Sequence, residues 1–324
     1  MRVALLLLLA YGLDRWIGDP SWLPHPVIAM GKMISWLERC LLTIGRSVSF
    51  SRWGVRLLGA ILPLVIVGGV YTLTWWLVMW CTREWNNSIA FLLEVGLIAT
   101  TIATKGLAEA AQAVQRALQQ GEIKEARARL KLIVGRDTDH LEEEEVVRAT
   151  VETVAENIVD AVSSPLFYAF VGGAPLALAY RAVNTLDSMV GYKNEKYRDF
   201  GWASARLDDI ANWLPARLMV GSFLLAMWLL RLDARGCWKI MWRDARKHPS
   251  PNSGIPEAGM AGGLGIRLGG ANLYQGVRSH RAYLGEEKAR KRAHHIKQAV
   301  AVLFVSTQMY TLFLALIGIL LWRV

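Results

Sequence analysis

The sequence predicts an all-α fold, a polytopic helical membrane protein with about four to six membrane segments, some of them broken or re-entrant. Three observations carry this. Hydrophobic residues make up 53% of the 324-residue chain and charged residues only 20%. The apolar residues are gathered into runs longer than a soluble core helix presents on all its faces. The net charge of +10 is concentrated in one tract, as membrane topology demands. The same composition excludes disordered, collagen-like and disulfide-scaffold proteins.

Residues 3–13, following Arg2, resemble a signal-peptide core, but no small-residue cleavage site follows, so they read as a short uncleaved first span. Residues 57–81 contain no charge and carry Trp75, Trp76 and Trp80 near their end, where indole rings favour the headgroup zone. Residues 89–104 form another candidate with Glu94 inside it. A carboxylate at that depth faces a partner or a cavity, a helix-packing hydrogen bond being the blander fate. Pro165, Gly172, Gly173 and Pro175 interrupt residues 163–180 and suggest a re-entrant segment. Residues 216–230 are apolar but short, and residues 299–322, bounded by Lys297 and Arg323, form a second clean span.

Residues 231–297 hold fourteen Lys or Arg against five acids, which places that tract in the cytoplasm. If every candidate crosses, segments 14–53 and 105–160 share its face and 181–215 falls outside. A re-entrant hairpin around Gly172 and Gly173, with a partial insertion after Pro215, returns 181–215 to the cytoplasmic side. The expectation is one membrane-embedded domain, 1–324, in the cell (inner) membrane, with an active site built from cytoplasmic loops. Cys40, Cys81 and Cys237 show no Cys-x-x-Cys pairing and read as buried fillers. Lys288, Arg290, Lys291 and Arg292, with His294 and His295, mark the cytoplasmic end of the last span against anionic lipid. No recognition pattern for nucleic acid appears.

Four polar clusters interrupt this frame. The first is Asp14-Arg15-Trp16-Ile17-Gly18-Asp19-Pro20 with Pro24-His25-Pro26, read either as a capped, salt-bridged turn or as functional groups at a membrane surface. The second begins Gly135-Arg136-Asp137-Thr138, where Asp137 or Thr138 can cap a helix whose first turns hold Glu142 to Glu145. On a 3.6 period Glu145, Glu152, Glu156 and Asp160 form one stripe opposite Val147, Val151, Val154 and Ile158. Glu142 to Glu145 suit a solvated face, whereas Glu152, Glu156, Asn157 and Asp160 run into apolar sequence and suit a magnesium ion bridging to substrate phosphates.

The third cluster pairs Asn184 with Asp187 and Asp208 with Asn212 at helical spacing, near Arg181, Lys193 and Arg206, so that each pair can converge on a cation or a hydroxyl. An N-cap is the alternative for Asp208 or Asp209. The fourth is Lys247-His248-Pro249-Ser250-Pro251-Asn252-Ser253-Gly254, followed by Glu257 and the glycine-dense residues 259–270 with Arg267. Backbone N–H groups there can cradle phosphate, a flexible loop being the alternative. No Walker A or dinucleotide fingerprint is present.

In order, Asp14-Arg15-x-x-Gly18-Asp19-Pro20 with Pro24-His25-Pro26, Gly135-Arg136-Asp137-Thr138, Val151-Glu152-Thr153-Val154-Ala155-Glu156-Asn157, Asn184-Thr185-Leu186-Asp187-Ser188-Met189-Val190-Gly191-Tyr192-Lys193, Ala205-Arg206-Leu207-Asp208-Asp209 and His248-Pro249-Ser250-Pro251-Asn252-Ser253-Gly254 resemble the adenosylcobinamide-phosphate synthase (CobD/CbiB) family of cobalamin biosynthesis, over residues 1–285. The resemblance implies a ligase that joins the free propionate of adenosylcobyric acid to aminopropanol or its O-phosphate, consuming ATP with Mg2+. No tightly bound organic cofactor is implied. Association with other late-pathway cobalamin enzymes is a further implication.

The resemblance also implies roles. Some of Glu152, Glu156, Asp160, Asp187 and Asp208 supply the magnesium ligands, with Asp187 and Glu156 needed for turnover. Arg136, Lys193, Arg206 and Arg267 bind phosphate groups, and His25 or His248 deprotonates the attacking amine. Asp14, Asp19, Asp137, Asn157, Asn184, Ser250, Asn252 and Ser253 complete the substrate-binding set. Two other classes remain open at this stage, a transporter using the broken segment and a sensory or regulatory membrane protein of the same superfamily.

Overall fold

The computed structural model describes residues 1–18, 25–47, 51–192, 194–274 and 276–321. In chain order its elements are α1 (Arg2–Trp16), α2 (Pro26–Ser47), α3 (Arg52–Glu84), α4 (Asn87–Ala99), α5 (Thr104–Gln119), α6 (Ile123–Lys131), α7 (Glu143–Ile158), a π-helical turn (Val159–Ser163) and α8 (Ser164–Val190). There follow α9 (Trp202–Ala211), α10 (Trp213–Leu229), α11 (Ala234–Asp244), α12 (Gly254–Leu264), strands β1 (Leu268–Tyr274) and β2 (Val277–Leu284), and α13 (Ala293–Leu321). Arg52–Glu84, Asn87–Gln119, Glu143–Val190 and Ala293–Leu321 are long and apolar enough to cross a bilayer, and Trp202–Ala211 with Trp213–Leu229 form a broken fifth candidate. The chain is therefore a polytopic helical membrane protein. Its first expected span, α1, is too short to be counted with these, at 15 residues.

The chain divides into two compact units, each assembled from separated segments. One comprises Met1–Ile102, Ser164–Asn212 and Leu314–Val324, the other Ala103–Ser163 and Trp213–Phe313.

In the first unit Ser51 caps α3 by accepting the Gly54 N–H at 3.3 Å, and α3 then runs 33 residues, about 50 Å at 1.5 Å per residue. Its outer side shows Leu57, Leu64, Leu73, Trp75 and Trp76, a lipid-facing composition. Its inner side supplies Leu62 and Ile66 to a core with Ile34, Leu178, Leu186 and Phe200. Lipid tails are as apolar as these residues, so close packing rather than water exclusion holds such helices together.

The organising feature of this unit is the break in α8. Gly172 and Gly173 leave helical geometry, Gly173 with φ 63° and ψ −156°. The rings of Tyr168 and Tyr180 nevertheless stack 5.1 Å apart, and Ser164 Oγ and Tyr180 Oη both donate to Asn212 Oδ1, at 2.5 and 2.7 Å. In an unbroken helix Ser164 and Tyr180 would stand about 24 Å apart. The two arms therefore fold back on each other as a helical hairpin with its apex at Gly172–Gly173, and Asn212 fastens its open end. Pro175 lies in the first turn of the second arm, where its missing N–H costs no intrahelical bond.

Glu94 closes the apex. It accepts Arg2 Nη2 at 2.5 Å, and a Cβ placed on Gly173 would meet Glu94 Oε2 at 2.9 Å. The buried carboxylate is thus paired rather than facing a cavity. Gly173→Ala should destabilise the protein by about 1–3 kcal/mol, through positive φ and this contact together; equal unfolding midpoints in detergent for variant and parent would contradict the account.

In the second unit α12 packs against α11 with almost no side-chain spacer. A Cβ on Gly262 would collide with the Gly236 backbone, and one on Gly259 would press on Met241, Phe223 and Cys237. Residues 259–264 of the expected glycine-dense turn are therefore helical, whereas 265–270 pass through left-handed Gly265 into β1. The glycines serve close approach of two helices, and Gly265, at φ 66°, ends α12 in a left-handed cap. Beyond it β1 and β2 form an antiparallel ribbon irregular at Leu268–Gly270, the only strands among the described residues. Cys81 and Cys237 are buried as expected, whereas Cys40 is exposed.

Candidate active site

In the second unit α7 buries Glu152, whereas Glu145, Glu156 and Asp160 of the same stripe are only half-buried. Arg136 Nη2 donates to Glu152 Oε2 at 2.5 Å and its Nη1 to Asn272 Oδ1 at 2.6 Å. Arg148 Nη1 donates to Glu152 Oε1 at 3.0 Å, and its Nη2 to Asn272 Oδ1 and Ala271 O, each at 3.0 Å. The Gly269 N–H completes the set on Glu152 Oε1 at 2.8 Å. Arg148 also binds Glu145. Glu152 is 2% exposed and shares two guanidinium groups, so this buried network clamps the ribbon to α7.

Beside it lies a second group of titratable side chains. Glu257, on α12, is 1% exposed. Burial, then the neighbouring carboxylates Glu156 and Glu152, push its carboxyl well above the usual range against the opposing pull of Arg281 and Arg136. His248 Nε2 stands 3.4 Å from Glu257 Oε1 and 3.4 Å from Arg281 Nη1, while its Nδ1 accepts the Ser250 N–H at 3.1 Å. Ser250 Oγ accepts the N–H groups of Asn252 and Ser253, each at 3.3 Å, and Asn252 Oδ1 accepts Arg217 Nη1 at 3.2 Å. The 248–253 segment is therefore a built turn that aims His248 at a buried carboxyl.

A cleft of about 280 Å³ opens on this unit, lined among others by Arg148, Arg267, Tyr283, Lys291, Glu144 and Glu145. Arg267 lies 4.5 Å over the Tyr283 ring and 2.6 Å from Glu287. Lys291 corrects its reading as a lipid contact: it is 6% exposed and pairs with Glu287 at 2.7 Å and Glu144 at 3.6 Å.

In the first unit α8 and α9 bring Asp187 and Asp208 within electrostatic reach of each other, with Asn184 beside them. Asn212 Nδ2 donates to Asp208 Oδ2 at 3.0 Å, whereas the buried Oδ1 of Asp208 has no hydrogen-bond partner among the described residues. Asp208 and Asp209 lie inside α9, and the helix that follows begins at Trp213, so neither stands at its N-cap. An orphaned carboxylate oxygen next to a second carboxylate fits a hard cation such as Mg2+, which takes one or two protein oxygens and keeps several waters.

The other expected residues are dispersed. Asp14 is buried in α1 at 2% exposure. His25 Nδ1 accepts the Val27 N–H at 3.3 Å, at the start of α2. Asp137 does not cap α7, whose N-cap is Glu142; it accepts the Gly276 N–H at 2.8 Å and so holds the ribbon's turn. Thr138 instead donates to Arg127 O at 3.2 Å. Asn157 is bonded back to Thr153 O at 2.9 Å. Asp160 lies in the π-helical turn and is half-buried. Arg206 is largely exposed and reaches Asp209 at 3.3 Å. Asp19 and Lys193 lie outside the described residues. The five carboxylates expected to hold magnesium form no group of three among the described residues. Arg148, Asn272 and Arg281 escaped the sequence reading, since nothing in local periodicity links a strand residue to a helix more than a hundred positions earlier.

The sequence model of the family described as CobD/Cbib protein matches residues 7–303. A cobalamin biosynthesis protein CobD of Halalkalibacterium halodurans is 48% identical over 311 residues, 95% of this chain and 94% of that protein. One from Geobacter metallireducens is 50% identical over 272 residues, 84% and 83% of the two chains. A cobalamin biosynthesis protein CbiB of Salmonella arizonae is 43% identical over 308 residues, 95% of each. No solved structure matches the chain.

Proposed function

The chain belongs to the CobD/Cbib protein family, and from that premise we propose that it is an ATP-dependent amide synthase of cobalamin biosynthesis. It joins the free propionate of adenosylcobyric acid to aminopropanol or its O-phosphate at the cytoplasmic face of the cell membrane. The observation that carries the reading is the full-length match to proteins of cobalamin biosynthesis, together with buried carboxyl, imidazole and guanidinium groups beyond what membrane packing needs.

Amide formation from a carboxylate and an ammonium is unfavourable in water without activation. In the proposed reaction a propionate oxygen attacks the γ-phosphorus of ATP and ADP leaves, giving an acyl phosphate; the neutral amine then attacks the acyl carbon, forms the C–N bond and displaces inorganic phosphate. Mg2+ bound with the nucleotide would offset phosphoryl charge, and Asp187 and Asp208 are the side chains that would hold it. With Nδ1 accepting the Ser250 N–H, neutral His248 carries its ring hydrogen on Nε2, toward Glu257; His248 would hold that carboxyl, and the ionised Glu257 is the group assigned to take the proton that the ammonium must lose. Arg267 and Arg281 are the guanidinium groups assigned to phosphate oxygens.

Purified protein in detergent, given adenosylcobyric acid, aminopropanol phosphate and magnesium-ATP, should yield the amide with one nucleotide hydrolysed per product. Failure to form product with either amine, in detergent and in lipid, would sink the reading.

A further inference from the structure

We propose that α11 is an interfacial helix that lies on the membrane surface and binds anionic lipid headgroups. Its inner side, Cys237, Ile240, Met241 and Asp244, is buried, and the close approach of Gly236 to Gly262 seats it on α12. Its outer side is a single helical stripe of Arg235, Trp238, Lys239 and Trp242, continued by Arg246 in the 3-10 turn Ala245–Lys247 that follows, all exposed. Trp238 and Trp242 are 51% and 77% exposed, and their rings stack 5.9 Å apart. Two large indoles left in water at the centre of a cationic stripe are costly for a soluble surface and ordinary at a headgroup boundary, where the ring is half apolar and the cations meet phosphate.

Position and charge select the occupant. α10 ends at Leu229 and α11 begins at Ala234, so the start of α11 lies within about 18 Å of chain from that end. α10 itself exposes Leu218, Leu225, Trp228 and Leu229, the composition of a lipid-facing rod that finishes in an aromatic belt. The acids near the stripe are occupied: Arg243 and Lys247 hold Asp244 at 2.8 and 2.6 Å, Arg243 also holds Glu286 at 2.6 Å, and Asp233 caps α11 by accepting the Gly236 N–H at 2.7 Å, with Lys288 3.9 Å away. The outward face is therefore positive, and it continues an apolar surface into the headgroup layer. A bilayer with anionic headgroups meets both requirements at once.

The test uses the full-length protein in nanodiscs of phosphatidylcholine alone or of phosphatidylcholine with phosphatidylglycerol. Amide hydrogen exchange over residues 234–247 should be about ten-fold slower in the anionic discs. The combined variant Arg235→Gln, Lys239→Gln, Arg246→Gln should lose that difference while exchange in α12 stays as in the parent. A spin label on Trp242→Cys should collide with oxygen and with a nickel chelate as a group at headgroup depth does. Equal exchange in both discs, with the label freely reached by the chelate, would overturn the proposal. So would protection that follows protein concentration in detergent instead of lipid charge, which would assign the face to a second copy of the chain.

Discussion

Asp208→Asn should lower kcat by roughly 10²–10³-fold, the size of loss seen when one element of transition-state charge stabilisation is removed, because it takes a charged oxygen ligand from the magnesium ion that Asp187 and Asp208 are proposed to hold. The substitution is close to isosteric, so the Asn212 contact to Oδ2 at 3.0 Å can persist and the hairpin's fastening stays in place. Stability should not fall, because the change removes a negative charge held next to Asp187 and leaves packing alone. The remaining turnover should need more magnesium for half-saturation, with KM for the corrinoid little changed. A variant with parental turnover and parental magnesium dependence would show that α8 and α9 do not hold the metal.

Glu152→Ala should act in the opposite way, as a structural lesion of about 3–5 kcal/mol, because it leaves Arg136 and Arg148 buried without their shared counter-charge. The expected measurement is an earlier unfolding transition in detergent and early proteolysis within the β1–β2 ribbon. Replacing Arg136, Arg148 and Glu152 together by apolar residues of similar volume should recover part of that loss, since no unpaired charge then remains. Should Glu152→Ala unfold like the parent and change only the magnesium requirement, the network would be a metal site and not a clamp.

These two residues mark what the sequence makes legible. Asp208 and Asn212, like Asn184 and Asp187, were visible as pairs because they are local: four and three positions apart on one helix. The uncharged run within α3, the last span and the interruption at Gly172–Gly173 were visible for the same reason, as each is a property of a short window. Glu152 was visible as a carboxylate at a membrane boundary, which suits a metal as well as it suits an arginine. Only the arrival of Arg136, Arg148 and the Gly269 N–H decides between them, and that depends on how β1 folds against α7. Residues 259–264 run the other way. A high glycine density favours loops in isolation, but here the missing side chains are what lets α12 approach α11, so tertiary contact reverses the local preference.

The Arg2–Glu94 pair at the apex of the α8 hairpin bears on how the chain is made. Its two members are 92 positions apart, and the cation is synthesised first. When the ribosome releases the segment carrying Glu94, the guanidinium that will neutralise it has already been delivered at the head of α1, and the glycine that rests against the pair has not yet been translated. Biogenesis thus supplies the counter-ion ahead of the charge, and the insertion machinery never has to shelter a lone carboxylate while the hairpin is still unbuilt.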